Sequence, residues 1–222
     1  EKNSGDESLL YYNSANSGGA RPKISMQDSD GKHWIVKFRH TYDAVSVGRE
    51  EYLYMKTARE CGINIPNIKL INDKYFAIER FDIEQDKGVH VLTAAALLKS
   101  DFRNQTIDYT NLLALTGFLT QNPQEVEEMY RRMVYNVVCE NRDDHAKNFS
   151  FICRNGMWTL SPAYDITYSP VGTKGEHATS LFYNGNPTKD LMIKAGVQIK
   201  IPKKRCLEII DCIEKVCNEK LR

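Results

Sequence analysis

Asp143 and Asn148 stand five positions apart in Asn141-Arg142-Asp143-Asp144-His145-Ala146-Lys147-Asn148-Phe149-Ser150. Asp165 follows 17 residues beyond Asn148, closing Leu160-Ser161-Pro162-Ala163-Tyr164-Asp165. An ordered carboxylate, amide and second carboxylate are the groups that phosphoryl transfer from a nucleotide requires, one to orient the attacking hydroxyl and two to hold Mg²⁺ against the phosphates. Asp143 is the candidate to orient or accept the hydroxyl proton. Asn148 and Asp165 are candidate ligands of Mg²⁺, which takes hard oxygen ligands from few protein groups and completes its shell with phosphate and water. Taken singly, each is as readily a loop-capping residue; the ordered set is what points to chemistry. Lys147 is placed to neutralise charge on the transferred group. His145 reads as a hydrogen-bonded brace of the loop rather than a proton-transfer group.

Lys37 interrupts the apolar run Ile35-Val36-Lys37-Phe38. A lysine buried in a strand keeps its charge only if paired, and Glu51, 14 residues on, is the natural partner, with Glu50 competing for the role. Lys37 would then reach the α- and β-phosphates of a nucleotide, held in place by Glu51. Ahead of it, Ser17-Gly18-Gly19 can bring backbone N–H groups close to phosphates, with Lys23 nearby as a point charge. The segment is not a G-x-x-x-x-G-K-[ST] sequence. Backbone groups at Glu79 and Phe81 in Phe76-Ala77-Ile78-Glu79-Arg80-Phe81-Asp82 are placed to meet an adenine edge, while Arg80 and Asp82 suit a local ion pair.

The elements that must position these groups can be read in outline. A hairpin is expected from Ile24-Ser25-Met26 through an Asp28–Gly31 turn into Trp34–Phe38. A helix follows over 47–61 with Gly62 as its stop signal, then strands near Ile68–Leu70 and Tyr75–Arg80. From about residue 90 the pattern becomes mostly helical. The clearest helix spans 123–139: Asn122 caps it, Pro123 suits the first position and Glu125 completes a capping box. Val126, Met129, Tyr130, Met133, Val134, Val137 and Val138 give it one apolar face, and it delivers the chain into the Asp143 loop. Residues 166–187, rich in Gly, Thr, Ser and Asn, are expected to form a mobile loop, and Pro202–Leu221 a final amphipathic helix.

With 222 residues, 41% hydrophobic and 27% charged, the chain is long enough for one large domain or two small lobes of soluble globular type. Its longest apolar runs fall short of the roughly 18–20 residues of a membrane span. Glu1–Glu7 is polar and carries no signal peptide, so a cytoplasmic location is expected. A net charge of +1 gives no reason to expect strong nucleic-acid binding by this chain alone; Lys200, Lys203, Lys204 and Arg205 read as a solvated helix start. The six cysteines contain no C-x-x-C pair, which argues against zinc and disulfides; Cys206, Cys212 and Cys217 read as mostly buried side chains of the last helix.

The chain resembles the kinase core of the HipA family, serine/threonine kinase toxins of bacterial toxin–antitoxin pairs. The matching segments are Gly18-Gly19-Ala20-Arg21-Pro22-Lys23, Ile35–Phe38, Glu51-Tyr52, Ile78–Asp82, Asn141–Ser150 and Leu160–Asp165, in the family's order across roughly residues 14–170. The Asp-x-His-x-x-Asn core also resembles that of phosphoinositide-type lipid kinases. The resemblance implies an α+β, bilobal protein-kinase-like fold, with a strand-rich N-lobe over 1–82 and a helical C-lobe over 83–222. It implies Asp143 as catalytic aspartate, with Lys147 and His145 beside it, and Asn148 and Asp165 on Mg²⁺. ATP would lie against Ser17, Gly18, Gly19, Ala20, Lys23, Lys37, Glu51, Glu79 and Phe81. It further implies a protein substrate of the translation machinery, such as an aminoacyl-tRNA synthetase, and a small helix-turn-helix antitoxin, with DNA reached only through that partner.

The chain departs from the family pattern at three places. The family's autophosphorylated loop serine aligns with Asn16, flanked here by Ser14 and Ser17. A preceding subdomain of about a hundred residues is not part of this sequence, which implies a trimmed chain or a separate polypeptide that supplies it. Asp144 stands where a small residue is common and adds charge beside Asp143, an expense that Arg142, Lys147 or the metal would have to offset. Two other functions fit the same residues: a small-molecule kinase, favoured by a closed acidic acceptor pocket, and a catalytically weak ATP-binding scaffold or co-repressor that holds a helix-turn-helix antitoxin on DNA.

Overall fold

The computed structural model describes residues 21–99, 107–170 and 175–222. It opens with the expected hairpin, β1 (Lys23–Gln27) and β2 (His33–Lys37), paired so that Lys23 faces Lys37. The turn is closed by Gly31 N–H on Asp28 O at 3.0 Å, with Gly31 at φ +78°. The Asp28 carboxylate accepts Asp30 N–H, Lys32 N–H and the Trp34 indole N–H. Alternation along β2 sends Trp34 and Val36 into a small cluster with Ala77, and turns Ile35 and Lys37 to the opposite face.

Helix α1 (Val47–Glu60) crosses that opposite face and ends at Cys61, with Gly62 in the left-handed region at φ +80°. Gly48 lets its first turn touch the sheet: a Cβ there would stand 2.1 Å from the carbonyl oxygen of Lys74. Strands β3 (Ile68–Ile71) and β4 (Tyr75–Glu79) complete an antiparallel sheet of order β1-β2-β4-β3.

The remainder is mostly helical, but it holds more sheet than the sequence suggested. A short hairpin, β5 (Ile83–Glu84) and β6 (Lys87–Gly88), leads to β7 (His90–Thr93) and a one-turn α2 (Ala94–Leu97) capped by the Thr93 hydroxyl. Strand β8 (Ile107–Asp108) precedes α3 (Tyr109–Thr120), which the Asp108 carboxylate caps at Thr110 N–H. Helix α4 (Pro123–Val138) follows, then β9 (Ser150–Arg154), β10 (Met157–Leu160), β11 (Thr179–Ser180), α5 (Lys189–Gln198) and α6 (Lys203–Leu221). Strands β10, β9 and β7 form a second antiparallel sheet. Phe151-Ile152-Cys153 is a short apolar run without alternation, which periodicity alone does not assign to strand or helix.

Helix α4 begins as expected, with the Asn122 side chain accepting Gln124 N–H and Pro123 at the first position. The capping box does not form. Glu125 instead reaches across to Leu160 N–H at 3.1 Å and fixes the end of β10 to the helix start. Nor is one face alone buried: Met129, Tyr130, Met133 and Val134 are joined by Arg132, Tyr135 and Asn136. Arg132 survives burial by bonding Glu128 at 2.9 Å and Ser161 O at 2.8 Å. A single main core runs from Met55 and Ala58 of α1 and Phe76 of β4, through α3 and α4, to Ile209, Ile210 and Ile213 of α6. Each such fully buried side chain contributes roughly 1.5–3 kcal/mol of transfer free energy.

Two further expectations are corrected. On α6, Cys206, Ile209, Ile210, Ile213 and Cys217 recur at helical spacing on the buried face, and Cys212 falls between them and is exposed. The described part of 166–187 is anchored rather than loose: Ser169 bridges to Asn141, Ala178 N–H bonds Arg142 O at 3.0 Å, and β11 pairs in parallel with β8. His177, Thr179 and Ser180 add side-chain hydrogen bonds to Asp144 and Asp108, which composition does not foretell. Among the described residues no helix is long and apolar enough to cross a membrane.

Candidate active site

Lys37 leaves β2 toward α1 and lies between two carboxylates, ion-paired with Glu51 Oε1 at 2.5 Å and with Asp165. Glu51 is only 3% exposed, whereas Glu50 faces solvent and accepts the Ser46 hydroxyl. Burial by itself would lower the Lys37 ammonium; Glu51 and then Asp165 outweigh it and hold the group above the usual lysine range. Burial would likewise raise Asp165, but Lys37, with Lys23 and His145 assisting, draws its carboxyl below the usual range. Asp165 sits at φ +53°, a left-handed conformation that an ordinary residue holds at a cost of about 1–3 kcal/mol. That backbone turn aims its carboxylate back at Lys37.

Helix α4 ends at Cys139 and hands the chain to the loop that carries Asp143. Asp143 has a largely exposed side chain. Desolvation by the walls raises its carboxyl; His145 opposes this, while Asp165 and Asp144 add to it, leaving it above the ordinary carboxylate value. A one-turn 3₁₀ segment, Ala146–Asn148, follows. Asn148 Nδ2 donates to Asp143 O at 2.9 Å, which leaves its Oδ1 as the acceptor. Tyr164 Oη donates to Lys147 O at 2.8 Å and pins the same turn to the segment before Asp165.

These side chains share one cavity of about 870 Å³, lined by Lys23, Lys37, Glu51, Asp143, His145, Lys147, Asn148 and Asp165. Arg21, bonded to Asp43 at 3.0 Å, stands with Tyr42 and Tyr168 among its further lining. Burial, then Lys37, lowers the Lys23 ammonium from its usual value. The set suits a polyanion held beside a divalent cation. Asp165 and Asn148 offer carboxylate and amide oxygens of the kind Mg²⁺ accepts. On the same wall the buried Asn141 Oδ1 has no hydrogen-bond partner among the described residues, an acceptor that water around a cation would satisfy.

Several expected residues are placed differently. Glu79 and Phe81 do not line this cavity. Glu79 gives its N–H to Asn67 O and its carboxylate to Asn67 and Lys32, and the Phe81 ring stacks on Tyr164 with centroids 5.6 Å apart. Among the described residues His145 does not brace the loop: its Nδ1 is buried without a hydrogen-bond partner there, and its Nε2 is 3.9 Å from Asp143, too far for a hydrogen bond. Arg80 and Asp82 form their local ion pair at 2.7 Å. Ser14, Asn16, Ser17, Gly18, Gly19 and Ala20 lie outside the described residues.

Asp144 carries the largest correction. Arg142 is turned to Pro170 O and Gly175 O instead. The carboxylate turns away from the cavity, is wholly buried, and accepts Tyr109 Oη at 2.5 Å, His177 Nδ1 at 2.9 Å and Thr179 N–H at 3.1 Å. No local spacing links residues 109, 144 and 177, so the sequence held no signal for this network.

The HipA-like C-terminal domain matches residues 15–221. The chain belongs to that family. HipA of Shewanella oneidensis, solved with HipB and operator DNA as a toxin–antitoxin complex, superposes with a TM-score of 0.73 at 17% identity, covering 93% of this chain and 58% of that one. The proinflammatory kinase CtkA of Helicobacter pylori gives 0.60 at 14% identity, covering 89% of each chain. The HipA-like fold is therefore shared with a kinase. Among curated relatives, a candidate kinase Y4dM of Sinorhizobium fredii is 26% identical over 175 residues, and a candidate kinase of Haemophilus influenzae is 29% identical over 144. The matches take in 71% and 56% of this chain and 42% of each relative, so this HipA-like domain spans under half the length of either.

Proposed function

We propose that this HipA-like domain transfers the γ-phosphoryl group of ATP to a serine or threonine hydroxyl of a protein, and that it does so as the toxin of a toxin–antitoxin pair. The observation that carries the reading is the Glu51–Lys37–Asp165 ion-pair chain facing Asp143 and Asn148 across one cavity. A paired lysine, a metal-type aspartate and a separate hydroxyl-orienting aspartate are the parts that phosphoryl transfer uses.

In this reading residues 1–82 act as the N-lobe and 83–222 as the C-lobe, with ATP between them. Lys37 neutralises the α- and β-phosphates, and Glu51 fixes its ammonium so that little reorganisation is needed on binding. Asp165 and Asn148 hold Mg²⁺, which when bound shields the phosphate charge. Asp143 orients the acceptor hydroxyl in line, and its raised carboxyl suits acceptance of that proton. Lys147 stands beside the transferred group. Most of the rate gain then comes from positioning and fixed charge. The complex of Shewanella HipA with HipB and operator DNA supports an antitoxin partner through which DNA is reached. A translation protein as acceptor, and a cytoplasmic site of action, belong to the same proposal.

The test is transfer from γ-labelled ATP with Mg²⁺ into host lysate, by wild type and Asp143→Ala side by side. A discrete labelled protein seen only with wild type is expected. Labelling by both removes Asp143 from catalysis; labelling by neither, while nucleotide still binds, overturns the reading in favour of a scaffold.

A further inference from the structure

Asp143 projects into the cavity from between two residues that do not. Its predecessor Arg142 bonds Pro170 O and Gly175 O through its guanidinium, and its carbonyl accepts Ala178 N–H. Its successor Asp144 is 0% exposed and receives His177 Nδ1 and Thr179 N–H on its carboxylate, while its carbonyl accepts the Thr179 hydroxyl. Every one of these partners belongs to the stretch after Asp165. His177 is itself 8% exposed, held by its own N–H on Gly185 O at 2.8 Å.

From the other side, Asp144 takes the Tyr109 phenol of α3. Tyr109 Oη donates to Asp144 and accepts Asn136 Nδ2 of α4 at 3.1 Å, and Asn136 Oδ1 accepts Asn141 Nδ2 at 3.0 Å. Burial, then Asp144, pushes the phenol well above its usual value, which keeps that proton in place. Asp144 is thus a buried junction of α3, the Asp143 loop and the later segment. An unpartnered buried carboxylate would not persist, so its donors are structural necessities.

We infer that Asp144 and His177 are positioning residues: together they lock the stretch after Asp165 onto the Asp143 loop and set the aim of Asp143. The inference rests on the phosphotransferase reading of the site. Lys37 and Glu51, which would hold the nucleotide, take no part in this junction. Loosening it should therefore lower turnover and leave nucleotide affinity alone. A misplacement of about 1 Å in a reacting group costs up to roughly 100-fold.

His177→Ala removes the Nδ1 donor; His177→Asn restores an N–H at nearly the same place. Transfer from γ-labelled ATP into host-lysate protein is measured over a range of ATP concentrations, with melting temperature and binding of a fluorescent ATP analogue recorded for each protein. The expected result is a kcat for His177→Ala at least about 10-fold below wild type, an unchanged KM for ATP, and substantial recovery in His177→Asn. Thr179→Val, which removes the hydroxyl and keeps the shape, should lower kcat in the same direction. Wild-type kcat in His177→Ala overturns the inference while leaving the phosphotransferase reading intact. So does a parallel loss of kcat, ATP affinity and melting temperature in both His177 variants, which would mark a structural role alone. No transfer by wild type overturns the phosphotransferase reading itself.

Discussion

Replacing Lys37 by methionine should reveal how strongly the site's charges depend on one another. Glu51 is 3% exposed and would lose its ion-pair partner in an apolar surrounding, while Asp165, with 42% of its side chain exposed, can turn to water. Breaking a buried pair by removing one member costs about 3–5 kcal/mol, much of it the penalty of the stranded charge. Lys37 keeps 14% of its side chain exposed, which places the expected loss near the lower end, about 3 kcal/mol. For a domain of this size each kcal/mol moves Tm by roughly 2–4 °C, so the variant should melt roughly 6–12 °C lower. Removing the stranded charge as well, in Lys37→Met/Glu51→Met, should recover most of that loss, because an apolar pair of similar volume is often as stable as the ion pair it replaces. Thermal and urea unfolding of wild type, both single variants and the double variant give the coupling energy directly. A double variant that melts at or below Lys37→Met, with the two effects simply adding, would refute the coupling. Lys37→Met and the double variant should both bind ATP more weakly, since both lose the cation that would meet the α- and β-phosphates.

The Asp28 carboxyl is held down at about 2, first by Lys32 N–H and then by Trp34, Lys69 and Asp30 acting against desolvation. A depressed folded-state value means that its stabilisation is complete above the ordinary aspartate range near ~3.9 and is lost as pH falls toward that lower value. The stability gap between wild type and Asp28→Asn should be constant from pH 7 to pH 5 and close by pH 2; urea midpoints that stay equally separated at low pH would contradict this. Gly48→Ala should cost about 2 kcal/mol by driving a methyl group into Lys74 O and pushing the first turn of α1 off the sheet. The same variant should weaken ATP binding through displacement of Glu51, read by titration with a fluorescent analogue. Asp165→Asn should keep the fold and abolish Mg²⁺-dependent transfer; activity near that of wild type would remove Asp165 from the metal.

The parts of this structure that the sequence made legible are those with short-range signals. The Asp28–Gly31 hairpin, the helix stopped at Gly62 and the Asn122-Pro123 helix start each follow from turn or cap chemistry within a few residues. Lys37 and Glu51 were legible as a pair because a charge in an apolar strand needs a partner and the first turns of the following helix offered two candidates, Glu50 and Glu51. What stayed hidden required knowledge of what packs on what. Glu125 had a local use in a capping box and was taken by Leu160, 35 residues away. Asp144 appeared to burden the cavity, because its partners lie 35 residues before it and 33 and 35 residues after it. Composition made 166–187 look mobile, although His177 and Thr179 within it bond the Asp143 loop.

The central claim is that Asp143 serves transfer and not binding. Single-turnover transfer of γ-labelled phosphate with saturating Mg²⁺ and ATP, on wild type and Asp143→Ala of equal nucleotide affinity, tests it most directly. Loss of a hydroxyl-orienting carboxylate should slow transfer by roughly 10²–10⁴-fold while the ATP Kd stays the same. Transfer by Asp143→Ala within a few-fold of wild type would contradict the account.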